Sequence, residues 1–430
     1  MKSPLAKFNL GYSLFLPLSG YATRCHYRRI VIRGRENLPW GERFIIAPTH
    51  QNALMDPMVI LQLTRRPVVF LARADVFRKP VLRAIFTWLR MMPIYRIRDG
   101  RESLSQNDEI FRRSREVLED GVPLCLMAEG THNHRHQLLP LVKGMFRIAC
   151  GTQRELGDKP LYIVPVGLDY DEYEQPYHSV CVDVGKPIDV RQYMEQYECD
   201  APHALNRMRD DMTAALKAQI HQVGSDEHYD EEYAYCHLRT QAVLKEQGWR
   251  NDVWHRYKAR QLVSRHLNGA DEEQRSRCYA EGAAFAEKCA RRSVPLWFAS
   301  KDWTWGKSVL VFLLWVVVGM IFGLLEGLGV QLPWLDWPLW LVWIVADPIV
   351  YLPTHLIAKK KIKDPQFRSS VNYGIRFGAT LLWIIGCFIA TTVAANVWAG
   401  LSMVALGMLS AHATPKMFAL LRDACYRVNL

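Results

Sequence analysis

The sequence has no C-x-x-C pair and no regular spacing among its ten cysteines. Paired or regularly spaced cysteines are typical of structural zinc sites and of the disulfide frameworks of small secreted domains. Their absence argues against both classes and indicates reduced thiols. We therefore expect the catalytic part of the protein to face the cytoplasm.

The apolar stretch near the N-terminus lacks both charge and a cleavage site. Phe8 to Thr23 contains no charged residue, and no small-residue cleavage site of the signal-peptide type follows it. Pro17 and Gly20 interrupt the stretch, which is short of the ~20 apolar residues that span a bilayer. We predict an interfacial membrane helix within residues 1–28, with a soluble helix as the alternative.

Acidic residues are fewer than basic ones, 43 against 54, which gives a formal net charge of +11. Such an excess is typical of proteins that bind nucleic acid, an anionic membrane surface or an anionic substrate. Half of the residues are hydrophobic and 14 are Trp. Together with the long apolar runs described next, this composition favours a lipid bilayer as partner and no nucleic acid.

The C-terminal part contains four apolar stretches, Val309–Leu325, Leu339–Ala358, Phe377–Ala395 and Val397–Ser410. The first three approach the ~20 residues of a membrane span and the fourth is shorter. Lys359 to Lys363 is basic, whereas Glu326 to Pro338 has no Lys or Arg. Basic loops stay in the cytoplasm. We predict an integral membrane protein, in the inner membrane if bacterial, with about four spans within residues 301–430. Asp347 either has a function or marks, with Pro348, a kink or a re-entrant segment.

Between these apolar ends, short buried-type runs alternate with helical patterns. The runs that predict strands are Phe44–Ala47, Val68–Ala72, Pro93–Tyr95, Val122–Met127, Leu161–Gly167 and Cys181–Ile188. Val81 to Met91 and Ser103 to Leu118 have helical periodicity. Alternating strands and helices predict an α/β fold with a mostly parallel sheet flanked by helices.

His50 and Asp56 follow the first buried strand and lie at a predicted strand-to-helix turn. In α/β sheets, ligands bind beyond the carboxyl ends of the strands. An imidazole can take a proton near neutral pH, and a carboxylate can orient it. The pair is therefore a candidate catalytic dyad. Alternatively, Asp56 before Pro57 is a helix N-cap without a catalytic role.

Three later stretches accompany this motif in a fixed order. They are Met92–Arg96, Ala128–His132 with Leu139–Gly144, and Ile163–Gly167. With the His50 motif they resemble the four motifs of the glycerol phosphate and lysophosphatidate acyltransferase family, from Arg29 to Ile188. Two departures exist, because one residue more than usual separates His50 from Asp56, and His132 stands where the family usually has Arg.

The resemblance implies roles for individual residues. His50 would deprotonate the acceptor hydroxyl, and Asp56 would orient the imidazole. Backbone N–H groups near the helix start would stabilise the oxyanion. The substrate-binding residues that it implies are Arg96, Glu129, Gly130, Thr131, His132 and Lys143. Arg96, Lys143 and either His132 or Arg135 would hold the phosphate, and Glu129 would accept from the acceptor hydroxyl or hold a neighbouring loop.

The loop after Glu129 contains alternating histidines, His132, His134 and His136. No nearby Cys or carboxylate ligand pattern accompanies them, so a polar loop is favoured over a zinc site. No metal and no other cofactor is expected, since an activated thioester supplies the driving force for acyl transfer.

The predicted domains are thus an acyltransferase domain at residues 29–200, a helical connector at 201–300 and the membrane domain. The predicted function is O-acyl transfer from acyl-CoA or acyl-carrier protein to glycerol phosphate or lysophosphatidate in phospholipid synthesis. Two alternatives stay open. One is acyl transfer to another lysolipid or to an acylated amino acid, and the other is a non-catalytic membrane transporter or scaffold.

Overall fold

The computed structural model describes residues 3, 5–64, 66–95, 106–299, 301, 360–362, 364, 367–394 and 396–429. The chain forms two compact units. The first contains Met1–Gly20, Ile30–Tyr170 and Val180–Val223, and the second contains Tyr21–Arg29, Asp171–Ser179 and Gly224–Leu430. All predicted site residues that the structure describes belong to the first unit.

In the described part of the chain, eight strands form one sheet. They are β1 (Arg29–Arg33), β2 (Arg43–Pro48), β3 (Val69–Arg73), β4 (Met91–Ile94), β5 (Leu124–Leu126), β6 (Leu161–Tyr170), β7 (Ser179–Val184) and β8 (Ile188–Asp189). Their order is β1-β7-β6-β2-β5-β3-β4, and β8 also pairs with β6. Within the run β6-β2-β5-β3-β4, adjacent strands are parallel. Strands β7 and β8 are antiparallel to β6. The predicted mostly parallel sheet is confirmed.

The middle of the sheet is apolar because it is covered on both faces. Residues Phe44 to Pro48 of β2 and all of β5 are buried. Ile45 lies opposite Leu124 on one side and Ile163 on the other. A strand that is buried on both faces needs apolar side chains at successive positions, so it appears in the sequence as a continuous apolar run.

Helices flank this sheet in the first unit. They are α1 (Leu10–His26), of which residues 10–20 belong here, α2 (Met55–Ile60), α3 (Pro80–Trp88), α4 (Gln106–Glu119), α5 (Lys143–Leu156), α6 (Met194–Cys199) and α7 (Ala201–Ala218). Val117 of α4, Phe146 of α5 and Met212 of α7 share one buried cluster with strand residues such as Ile45 and Leu126. The flanking helices of the prediction are therefore present.

The junction between α3 and β4 differs from the sequence-based prediction. The helix predicted to continue to Met91 ends at Trp88, and β4 begins at Met91. Arg90 between them has a left-handed backbone with φ of 61°. Its buried guanidinium donates to the carbonyl oxygens of Leu5 and Lys7, at 2.6 and 2.8 Å. Arg90 thus anchors the N-terminal segment.

The second unit is helical in its described part. Its helices are α8 (Tyr229–Glu246), α9 (Val253–Gly269), α10 (Glu272–Arg291), α11 (Leu296–Ala299), α12 (Arg368–Ala394) and α13 (Val397–Asn429). Helices α9 and α10 begin with aspartate N-caps, since Asp252 accepts from the His255 N–H and Asp271 from the Gln274 N–H. Helices therefore occupy the charged stretch after residue 200.

Among the described residues, one helical segment, Arg368–Val393, is long and apolar enough to cross a membrane. This criterion concerns length and composition only, and one such helix does not establish a membrane domain. The segment contains most of the third predicted span, and the fourth predicted span lies in α13. The first two predicted spans, with Asp347, lie outside the described residues.

Candidate active site

The predicted site lies at one edge of the sheet. Strands β2, β5 and β6 are parallel neighbours, so their carboxyl ends meet at the same edge. His50 follows the end of β2, Glu129 follows the end of β5, and Tyr170 is the last residue of β6. This edge is where α/β sheets bind their ligands.

His50 and Asp56 form a close pair at this edge. The Nδ1 atom of His50 is 2.7 Å from Oδ2 of Asp56. The carboxylate is fully buried, whereas 16% of the His50 side chain is exposed. Because a carboxylate can only accept, Nδ1 carries the proton and Nε2 is the nitrogen that can take a proton from a substrate. The structure thus brings the predicted dyad together.

Three further donors hold the Asp56 carboxylate. The backbone N–H groups of Gln51 and Asn52 donate to its Oδ2, at 2.7 and 2.8 Å. The buried Tyr170 hydroxyl donates to Oδ1 at 2.6 Å. Donors to both oxygens fix the carboxylate in position and direction, so the imidazole has a rigid partner.

The N-cap alternative for Asp56 is wrong. Helix α2 begins at Met55, its N-cap is Leu54 without a side-chain cap bond, and Asp56 is the second helical residue. The loop before the helix contains Ala53 at a φ of 39°. From the first turn, Asp56 reaches back to the N–H groups of the loop. Since the N–H groups of Gln51 and Asn52 point at Asp56, these two cannot also meet an oxyanion.

Glu129 connects two loops of the site. Its Oε1 accepts from the His50 N–H at 2.7 Å, and its Oε2 accepts from the Leu139 N–H at 2.8 Å. Of the two predicted roles, the structure shows the contacts of the second, in which the carboxyl holds neighbouring loops. Burial raises the pKa of Glu129 from 4.5 to about 8, the two N–H groups lower it, and the Asp56 charge raises it.

This raised pKa predicts a pH-dependent contribution to stability. Between pH 4.5 and about 8 the folded chain holds a proton on Glu129 that the unfolded chain has lost. The stabilising contribution is therefore complete below the unfolded pKa and is lost as pH rises through the folded pKa. We expect Glu129→Gln to reduce the fall in unfolding free energy between pH 5 and pH 8, measured by chemical denaturation. An unchanged fall would contradict this role.

Gly130 has a conformation and a contact that suit glycine only. Its φ is 65°, and a β-carbon there would lie 2.8 Å from Cγ1 of Val142. The neighbour that an added β-carbon would meet is Val142, whose N–H donates to the carbonyl oxygen of Ala128 at 2.9 Å. The turn after β5 is packed against the segment that enters α5.

We expect Gly130→Ala to destabilise the first unit by more than the roughly 1–2 kcal/mol of a left-handed non-glycine residue. Gly121→Ala is the matched control, because Gly121 has a φ of 73° with no atom within 4 Å of an added β-carbon. Adding Val142→Ala should recover the difference between the two variants. Equal unfolding free energies for Gly130→Ala and Gly121→Ala would contradict the contact with Val142.

The other predicted binding residues that the structure describes are Thr131, His132 and Lys143. The ring of His132 lies 5.4 Å from the ring of His50, edge to face. Next to it, the Asn133 N–H donates to the His50 carbonyl oxygen at 3.0 Å. Thr131 is exposed, and Lys143 is half-buried at the first position of α5. Arg96 lies outside the described residues.

Two residues of the site were missed in the sequence. Tyr170 was missed because the apolar run ends at Gly167, although β6 continues to Tyr170 through its antiparallel pairing with β7. Thr49, buried beside His50, accepts from the Leu168 N–H at 3.0 Å. The signal in the sequence that could have indicated Thr49 was its place as a polar residue between a buried strand and His50.

Comparison with known proteins gives two findings. The sequence model of the family described as Acyltransferase matches residues 29–169. Among solved structures, the chain is similar to the 1-acyl-sn-glycerophosphate (LPA) acyltransferase PlsC from Thermotoga maritima. The identity is 20%, the match covers 46% of this chain and 79% of that chain, and the TM-score is 0.30. No curated protein matches the chain.

The matched residues contain the whole dyad, the Glu129 turn and its flanking strands β2, β5 and most of β6. The match to the acyltransferase family thus extends from residue 29 to residue 169.

Proposed function

We propose that the protein is a membrane-bound O-acyltransferase that moves a fatty acyl group from acyl-CoA or acyl-carrier protein to glycerol phosphate or lysophosphatidate. The observation that carries this proposal is the 2.7 Å contact between His50 and the buried, hydrogen-bonded carboxylate of Asp56, within the residues that match the acyltransferase family. A buried carboxylate behind a partly exposed imidazole is the arrangement of a general base.

In the proposed reaction, Nε2 of His50 takes the proton of the acceptor hydroxyl while the hydroxyl oxygen attacks the thioester carbonyl carbon. Asp56 stabilises the resulting imidazolium through Nδ1–H. The carbonyl re-forms as the carbon–sulfur bond breaks, and the imidazolium returns its proton to the leaving thiolate. The products are an ester and a free thiol. Oxyanion donors other than the N–H groups of Gln51 and Asn52 are required.

The phosphate of the acceptor is assigned to basic residues by their place in the motifs. We propose Arg96, Lys143 and either His132 or Arg135 for this role, with Arg96 as the bidentate partner. Two placements support it, since His132 lies against His50 and Lys143 begins the helix after the Glu129 turn. Thr131 and Gly130 belong to the same turn.

The membrane association that we propose is supported by an exposed apolar surface in the first unit. Leu10 and Leu14 of α1 are exposed, as are Val81 and Ile85 of α3. Trp88 of α3, itself exposed, packs edge-on against Tyr12 and Phe15 of α1, at 6.2 and 5.4 Å. Exposed basic residues accompany the surface, namely Arg78, Lys79 and Arg83. Apolar and basic groups together bind an anionic bilayer surface.

A donor and acceptor screen on the purified protein tests the proposal. Acyl-CoA and acyl-carrier protein would each be combined with glycerol phosphate, lysophosphatidate, or the same lysolipid without its phosphate. We expect release of free thiol and formation of one ester per thiol with the phosphorylated acceptors. Equal rates with the dephosphorylated lysolipid would contradict the phosphate assignment. Absence of thiol release with every pair of donor and acceptor would contradict the proposed acyltransferase activity.

A further inference from the structure

We propose that His136, Asp169 and His221 form a binding site for a divalent transition-metal ion, with Zn²⁺ as the expected occupant. All three residues belong to the first unit and are almost completely buried, with exposed fractions of 2%, 3% and 0%. One ligand atom from each lies within 4.8 Å of the other two. Among the described residues, this is the one group of His, Cys and acidic side chains with metal-ligand spacing.

The chemistry and the spacing of these donors suit zinc. Two imidazoles and one carboxylate are a recurrent zinc ligand set, and the ion prefers nitrogen and oxygen ligands in a tetrahedron. With metal–ligand bonds of about 2.0–2.1 Å, neighbouring ligand atoms of a tetrahedron lie about 3.3 Å apart. Nδ1 of His136 is 3.3 Å from Oδ2 of Asp169. The ring centroids of His136 and His221 are 5.2 Å apart. The three ligand atoms lie within 4.8 Å of one another, so they must approach by up to about 1.5 Å to reach the tetrahedral spacing.

Gly167 allows the segment that contains His221 to approach β6 closely enough for His221 to meet Asp169. A β-carbon on Gly167 would lie 1.7 Å from the carbonyl oxygen of Gln219, so only glycine allows this backbone approach. Side chains two residues apart on a strand share a face. Asp169 therefore lies on the same face of β6 as Gly167 and meets His221 two residues after Gln219. This contact gives Gly167 a specific role in the last of the four motifs.

His136 joins the site from the loop that follows Glu129. The Val223 N–H donates to the His136 carbonyl oxygen at 2.7 Å, and the Leu138 N–H donates to Oε1 of Gln222 at 2.9 Å. A bound ion would cross-link this loop, β6 and the segment after α7. Asp169 is the neighbour of Tyr170, which holds Asp56. The ion would thus have a structural role, in which it holds three segments of the first unit together.

This set differs from the three alternating histidines of the loop. His132 lies beside His50, and His134 is exposed. Of the three, only His136 is buried, and its partners Asp169 and His221 lie far later in the chain. Such distant partners form no sequence pattern. A direct contact between His136 and Asp169 without an ion is the metal-free explanation that the experiment must exclude.

Metal analysis of the purified full chain tests the proposal without an activity assay. The protein would be stripped with a chelator, and separate samples would be titrated with Zn²⁺ and with Co²⁺. The measurements are the bound metal, the visible spectrum of tetrahedral Co²⁺ and the melting temperature. We expect one tightly bound ion per chain and a higher melting temperature with Zn²⁺. His136→Ala, His221→Ala and Asp169→Asn should each weaken binding by more than about 100-fold, since even outer-shell changes cost 10-fold to 100-fold.

The matched control is His237→Ala, because His237 is a buried histidine of α8 outside the site. It should retain the ion. If the alanine variants fail to fold, Asp169→Asn decides, since it preserves the volume and removes the charge. Wild-type protein that binds no Zn²⁺ would overturn the proposal in favour of a direct contact between His136 and Asp169. Unchanged Zn²⁺ affinity in Asp169→Asn would overturn it also.

Discussion

Replacing His50 with Ala is expected to lower turnover roughly 100-fold to 10,000-fold, the contribution of a positioned general base. The fold should survive, because the contacts of His50 to Glu129 and Asn133 use its backbone N–H and carbonyl groups. Asp56 would keep its bonds from Gln51, Asn52 and Tyr170. Steady-state rates of thiol release and the melting temperature are the two measurements.

The chain contains a matched control for this variant. His255 and Asp252 form a second pair in which Nδ1 is 2.8 Å from Oδ2, on the partly exposed start of α9. Its side chains are 30% and 36% exposed, against 16% and 0% for the dyad. His255→Ala should leave turnover unchanged. Comparable losses in the two variants would mean that His50 acts through stability and not through catalysis.

Asp56→Asn is expected to lower turnover roughly 5-fold to 30-fold, with little change in unfolding free energy. Three donors, from His50, Gln51 and Asn52, converge on Oδ2. They select the rotamer in which the Asn oxygen takes the position of Oδ2, so the imidazole keeps its orientation and its Nδ1 proton. What is lost is the negative charge behind the imidazolium, and charge-assisted hydrogen bonds are about 1–2 kcal/mol stronger than neutral ones.

Asp252→Asn is the corresponding control, and Asn also serves well as the N-cap of α9. It should change neither turnover nor stability. Full turnover in Asp56→Asn would show that Asp56 has a structural role only, namely to hold the N–H groups of Gln51 and Asn52. A large loss of stability in Asp56→Asn would show that the amide rotamer predicted above does not form.

The strands could be predicted because each is a local signal. The dyad could be predicted because a local His and Asp pair is accompanied by three later stretches that resemble the family motifs. Strands β2 and β5 are buried on both faces, so each appears as an apolar run that ends where the chain turns. His50 and Asp56 are six positions apart and meet across a short loop. The position of Asp56 in the helix was predicted incorrectly, since the Asp-Pro pair that favours an N-cap lies within the first turn.

The contacts that complete the site depend on tertiary structure. Tyr170 lies 114 residues from Asp56, and His50 and Glu129 are 79 residues apart. A carboxyl that holds backbone N–H groups has no sequence signature, because any loop carboxylate has the same neighbours in the chain. Similarly, Gly167 looked like an ordinary strand residue until its contact with Gln219 explained the absence of a side chain.

The most direct test of the account is the stoichiometry of thiol and ester formation by the purified wild-type protein. With an acyl thioester and lysophosphatidate or glycerol phosphate, we predict one acylated acceptor for each thiol released, a rate that depends on the acceptor, and loss of both products in His50→Ala but not in His255→Ala. Thiol release that does not depend on the acceptor, or that persists in His50→Ala, would contradict transfer by the His50 and Asp56 dyad.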